Sequence, residues 1–157
     1  MSRFEDLRKL ERARAKRQEE HWSPLYKAVT ETHGALVDYL QLPKRHFEIN
    51  GKTEPYVKLG TNSENGFEEK RSFELDGIDG QVPFDLGVTI DPSEGASPVK
   101  RVLVRCAARY DNGDLAVEIE PGTEDSAVVV ISGPGSYETV ASIIYRTIEK
   151  ILNGQYA

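Results

Sequence analysis

The sequence predicts an α+β fold: two N-terminal helices, an antiparallel sheet of about six or seven strands (mostly a meander), and one C-terminal helix packed on the sheet. Three observations predict it. Apolar or semipolar residues recur at helical spacing near both ends, at Leu25, Val29, His33, Leu36, Val37 and Leu40, and again at Tyr137, Val140, Ala141, Ile144, Ile148, Ile151 and Leu152. Between them lie short β-prone runs punctuated by turn residues. No helical pattern interrupts those runs, so the connections are short and the strands antiparallel.

Residues 3–21 are rich in Leu, Glu, Arg, Ala, Lys and Gln and free of Gly and Pro, which favours a helix. Its apolar content is a short drifting stripe, Phe4, Leu7 and Leu10, too thin to hold it to a core. A second helix is expected to start at Ser23, a good N-cap, with Pro24 in the first turn, and to stop before Pro43. Gly34 within it suggests a close approach by another element. The chain is therefore divided into a charged arm, 1–22, and a single α+β domain, 23–157.

Asn50–Gly51 marks a hairpin between 46–49 and the run before Pro55, a residue that confines its strand to an edge. Residues 60–69 read as a loop, 70–75 as a strand, 76–80 as a turn, 82–90 as a strand and 91–98 as a loop. The clearest hairpin turns at Asn112–Gly113. Pairing Asp111 with Asp114 sets Tyr110 opposite Leu115, Ala108 opposite Val117 and Cys106 opposite Ile119, an apolar face throughout. The other face then offers Arg105 to Glu120 directly and Arg109 to Glu118 diagonally. Residues 127–131, AVVVI, do not alternate, which predicts a central strand or one covered by a partner. Ser136 is the expected N-cap of the last helix, and Asn153–Gly154 its end.

The chain has 157 residues, enough for one domain with a real core, and a net charge of −6. Residues 1–20 hold seven basic and five acidic groups, so the arm is +2 and the rest −8. An acidic body disfavours nucleic acid except through the arm, where interleaved acids weaken even that. One cysteine excludes an internal disulfide and a Cys-rich zinc site. The first twenty residues lack the apolar segment of a signal peptide and no run is long enough to span a membrane, so a cytoplasmic location is expected.

No motif carries a named chemistry. ISGPGSYET, 131–139, lacks the lysine of a phosphate loop, and Pro134 has no N–H to offer; it reads as a strand-to-helix corner. His21, His33 and His46 lack metal spacing, and the Asp111–Asp114 and Asp76–Asp79 stretches are explained by tight turns. No cofactor, metal or catalytic residue is expected. Cys106 falls in an apolar register, where it acts as a small hydrophobe. The arm differs, because Phe4, Leu7, Leu10 and Trp22 are costly to leave exposed without use. With Arg8 and Arg12 they form the expected contact surface for another protein or a second copy of the chain. The resulting expectation is a non-enzymatic interaction module: a subunit, adaptor, chaperone-like or inhibitor-type protein. The alternative is a small-molecule binder or enzyme with a cavity between sheet and helices. His33, Tyr39, Tyr110, Tyr137 and Tyr145 would supply its polar groups, and Arg105 and Arg109, on the opposite sheet face, would meet an acidic ligand or another subunit.

Overall fold

A computed structural model describes residues 2–91 and 100–154. Residues 3–40 form one helix, α1 (Arg3–Leu40, 38 residues), where two were expected. Its start is capped by Ser2, whose Oγ accepts the Glu5 N–H at 3.1 Å; Ser2-Arg3-Phe4-Glu5 has the spacing of a capping box. It ends on Gln41, which turns left-handed at φ 51°. Pro24 lies inside the helix. A proline there removes one backbone hydrogen bond and crowds the preceding turn. Tertiary contacts on both sides of Pro24 offset that cost. The His21 ring nitrogen Nε2 meets the Gly80 carbonyl at 3.0 Å, and Tyr110 Oη donates to the His21 carbonyl at 2.7 Å. The Trp22 ring occupies the space where a Cβ on Gly77 would sit. Leu25 is fully buried and Tyr26 Oη donates to the Leu75 carbonyl at 2.7 Å.

Eight strands follow among the described residues. β1 (His46–Ile49) and β2 (Lys52–Pro55) form a separate hairpin through Asn50–Gly51, both with positive φ. β3 (Val57–Ser63) and β4 (Gly66–Glu69) form a second hairpin where a loop was expected over 60–69. Few residues there have strand propensity; Gly60 is required because its Cβ would collide with the Glu68 backbone. The expected strand at 70–75 is instead a 3-10 turn at Ser72–Glu74, closed by the Glu74 carboxylate accepting the Arg71 N–H at 2.9 Å. β5 (Val82–Ile90), β6 (Lys100–Asp111), β7 (Asp114–Ile119) and β8 (Ala127–Val130) then form a meander. The large sheet is antiparallel and ordered β4-β3-β5-β6-β7-β8. The expected loop at 91–98 lies, beyond Asp91, outside the described residues.

The β6–β7 register is the one expected, from Cys106↔Ile119 to Asp111↔Asp114. Arg109 Nε reaches Glu118 at 3.2 Å. Glu120 leaves the ladder at φ 55°, although its N–H still donates to the Arg105 carbonyl at 2.8 Å. β8 is an edge strand, not a central one. Its Ala127 and Val129 pair with Ile119 and Val117 on the covered face, while Val128 and Val130 face outward, about two-fifths exposed.

α2 (Pro134–Leu152) closes the fold. Its N-cap is Gly133 rather than Ser136; Ser136 instead accepts the Ser132 N–H at 3.0 Å, bracing the corner. The second half of α1 and all of α2 lie side by side on one face of the sheet. The core is Leu25, Val29 and Leu36 from α1, Phe84, Leu86, Val104, Cys106, Val117 and Ile119 from the sheet, and Val140, Ile144 and Ile148 from α2. Burial pushes the Cys106 thiol well up, as expected of a cysteine serving as a packed apolar group. The close approach expected at Gly34 is absent among the described residues: the space its missing side chain leaves is open, with nothing within 4 Å.

Candidate functional site

α1 changes character along its length. Residues 6–20 are all exposed, and burial begins at His21. Eighteen residues project as an arm of about 27 Å at 1.5 Å per residue. Phe4, Leu7 and Leu10 are 60%, 60% and 65% exposed. Eighteen residues are five turns of helix, so Leu7 lies on the line of Leu25, and Leu10 on that of Ala28. Both Leu25 and Ala28 are fully buried against the sheet. The arm's apolar stripe thus continues the core-facing side of α1 past the body. Arg8 sits over the Phe4 ring, 4.5 Å from its centroid, and pairs with Glu5 at 2.6 Å. Arg14 pairs with Glu11 at 2.7 Å, which raises the arginine and holds the Glu11 carboxyl below its usual range. Arg12 is exposed further along the arm. Trp22 lies with the body rather than with the tip of the arm, its ring 4.7 Å from His21 and 6.4 Å from Tyr26.

The five polar residues expected around a cavity are spread over three places. Tyr110 joins His21 near the root of the arm, with ring centroids 5.2 Å apart. His33 Nε2 meets the Val57 carbonyl at 3.1 Å. Tyr39 and Tyr137 line a surface groove of about 580 Å³ between α1 and α2. Tyr145 packs edge-on against Tyr39 at 5.8 Å. The groove floor is Gly34 and Ala35, and its rims carry Glu31, Asp38 and Glu138. Among the described residues, no Lys or Arg lines it. Burial, with a smaller effect from Glu31, raises the Tyr137 phenol above its usual range. Sequence reasoning missed the three carboxylates. Glu31 and Asp38, seven apart with two small residues between, share a helix face and could have been noticed; Glu138 is brought in only by the α1–α2 packing. A second pocket, about 260 Å³ and mostly apolar, opens where α1, β5 and α2 meet, with Leu40, Leu42, Tyr56, Val88, Ile148 and Leu152 among its walls.

Arg105 and Arg109 lie on the sheet face away from the helices, as the register requires. Arg109 is clamped by Glu118 and by Asp111 at 3.4 Å. Arg105 is exposed and faces the buried Asp85 at 3.6 Å, whose carboxylate also accepts the Asn62 N–H at 2.9 Å. Glu120 lines a surface pocket together with Asn62, Asp85 and Arg105. Burial raises the Glu120 pKa, against a smaller lowering by Arg105. Among the described residues, no three His, Cys, Asp or Glu side chains converge as a metal site, and no helix is long and apolar enough to cross a membrane. The chain matches no protein-family model, and comparison with curated proteins and with solved structures finds no match.

Proposed function

We propose that this chain is a non-enzymatic protein-interaction module that docks on a partner through its N-terminal helix, with the sheet and α2 as the rigid mount. The observation that carries this reading is the exposed stripe Phe4, Leu7 and Leu10, in phase with the buried face of the same helix. A helix seated in a groove presents such an i, i+3 series of anchors. Arg8, over the Phe4 ring, supplies a polar contact at the rim of the stripe, and Arg12 adds positive charge further round the exposed arm. Trp22 fixes the root of the arm. The cytoplasm is the proposed location. The test is affinity capture from the source cell with the full chain and with Leu7→Asp. A species held by the parent and released by the variant, both with the same circular dichroism and melting temperature, supports the reading. Identical capture by the two defeats it.

The second reading, a small-molecule binder or enzyme, is favoured by the apolar pocket of about 260 Å³ between sheet and helices. It lies just below the roughly 300–1,000 Å³ usual for ligand clefts. A rise in melting temperature with an apolar ligand, lost in Val88→Trp, would support it.

A further inference from the structure

We propose that the acidic groove between α1 and α2 receives the basic N-terminal helix of a second copy of this chain. This rests on the reading of residues 3–20 as a docking helix, and it names the partner.

Charge complementarity carries the inference. The arm is +2 while the rest of the chain is −8. Arg8 and Arg14 spend their charge on Glu5 and Glu11, and Lys16 lies 4.0 Å from Glu20. Arg12 and Arg17 make no ion pair among the described residues. The groove is the opposite: it carries Glu31, Asp38 and Glu138, and no Lys or Arg among the described residues lines it. Lys27, one turn before Glu31, is exposed and does not line it. The groove's apolar surface also suits the arm. Tyr39 and Tyr137 line it, and aromatic side chains suit both guanidinium groups and apolar side chains such as Phe4, Leu7 and Leu10; the open space at Gly34 lets a helix approach closely.

Two other occupants are disfavoured on the same grounds. A chain cannot fill its own groove with its own arm, because residues 3–20 and 30–39 belong to one continuous helix. Two arms pairing with each other would bring +2 against +2, and like charges across an interface cost affinity.

The test is sedimentation velocity on the full-length chain over a wide concentration range, at low and high salt. The parent is expected to self-associate, less so as salt screens the contact. Glu31→Lys with Glu138→Lys, and separately Arg12→Glu with Arg17→Glu, are each expected to weaken association by more than about tenfold. An equimolar mixture of the two variants restores it, because each arm again meets a groove of opposite charge. If a lysine variant melts differently from the parent, Glu31→Gln with Glu138→Gln replaces it, with a smaller loss in the same direction. A parent that stays monomeric overturns the proposal, as does association that ignores the groove charges or a mixture that fails to reassociate. Association abolished by Leu7→Asp but indifferent to groove charge leaves the docking helix standing and removes only the groove. A monomeric parent whose Leu7→Asp variant loses a captured protein does the same.

Discussion

The two halves of α1 have the same secondary structure and opposite fates. Residues 21–40 bury Leu25, Ala28, Val29, Thr32 and Leu36 against the sheet and α2. Residues 3–20 bury nothing, although their apolar stripe lies on the same side. The body half is held by packing. The arm half is held by local terms: a Ser2 cap, strong helix formers, and exposed i, i+3 pairs between Glu5 and Arg8 and between Glu11 and Arg14. Such terms are weak in an isolated helix. The arm gains from growing out of a helix already nucleated by tertiary contacts at 21–26. The difference teaches that helical order and core membership are separate properties, and that an apolar stripe can be ordered without being satisfied.

This contrast can be broken from the body side first. Phe84→Ala empties a fully buried site on β5; it is expected to cost about 3–5 kcal/mol in denaturant unfolding, and a cost below 1 would mean that the core closes over the gap. At the junction, Pro24→Ala restores the missing N–H. It is expected to stabilise the chain, by up to about 3 kcal/mol; a loss would show that the contacts around His21 and Leu25 depend on the bend a proline imposes. Glu120→Gln tests the outer sheet face. Burial raises the Glu120 pKa in the folded state, so protonation favours folding and the ionised carboxylate is penalised at neutral pH. That contribution is present below the unfolded pKa and is lost as pH rises through the folded one. The variant should melt higher than the parent at pH 7 and no higher under acid conditions; a constant gap at all pH values would point to a cause other than ionisation. Leu7→Asp, in the exposed arm, should change unfolding free energy by less than about 1 kcal/mol. A larger loss would place the arm in the core, and the contrast between the two halves would fail.

Much of the sheet was legible. Residues 100–119 specify their register because one alignment places Cys106, Ala108 and Tyr110 against Ile119, Val117 and Leu115 while bringing Arg109 to Glu118. A one-residue slip would put every one of these on the wrong face. The Asn50–Gly51 turn was equally explicit. The β3–β4 hairpin was hidden because GTNSENGFEE has the composition of a loop; what pairs it is the space that Gly60 leaves for the Glu68 backbone. AVVVI was read as central or as covered by a partner, and the structure removes the first option; a uniform apolar run has no period, and strand order is not written in one strand.

The candidate site divides in the same way. By itself the sequence determined the arm: its helix, its charge and the stripe Phe4, Leu7 and Leu10 all follow from local composition and spacing. It also determined which face of β6 and β7 is apolar. Only the tertiary structure decided that α1 continues through Pro24, because contacts with Gly77, Gly80, Leu75 and Tyr110, up to 89 residues away, offset a break that local propensity favours. Only it placed Glu138 beside Glu31 and Asp38, since a groove between two helices exists only once both have packed on the same sheet.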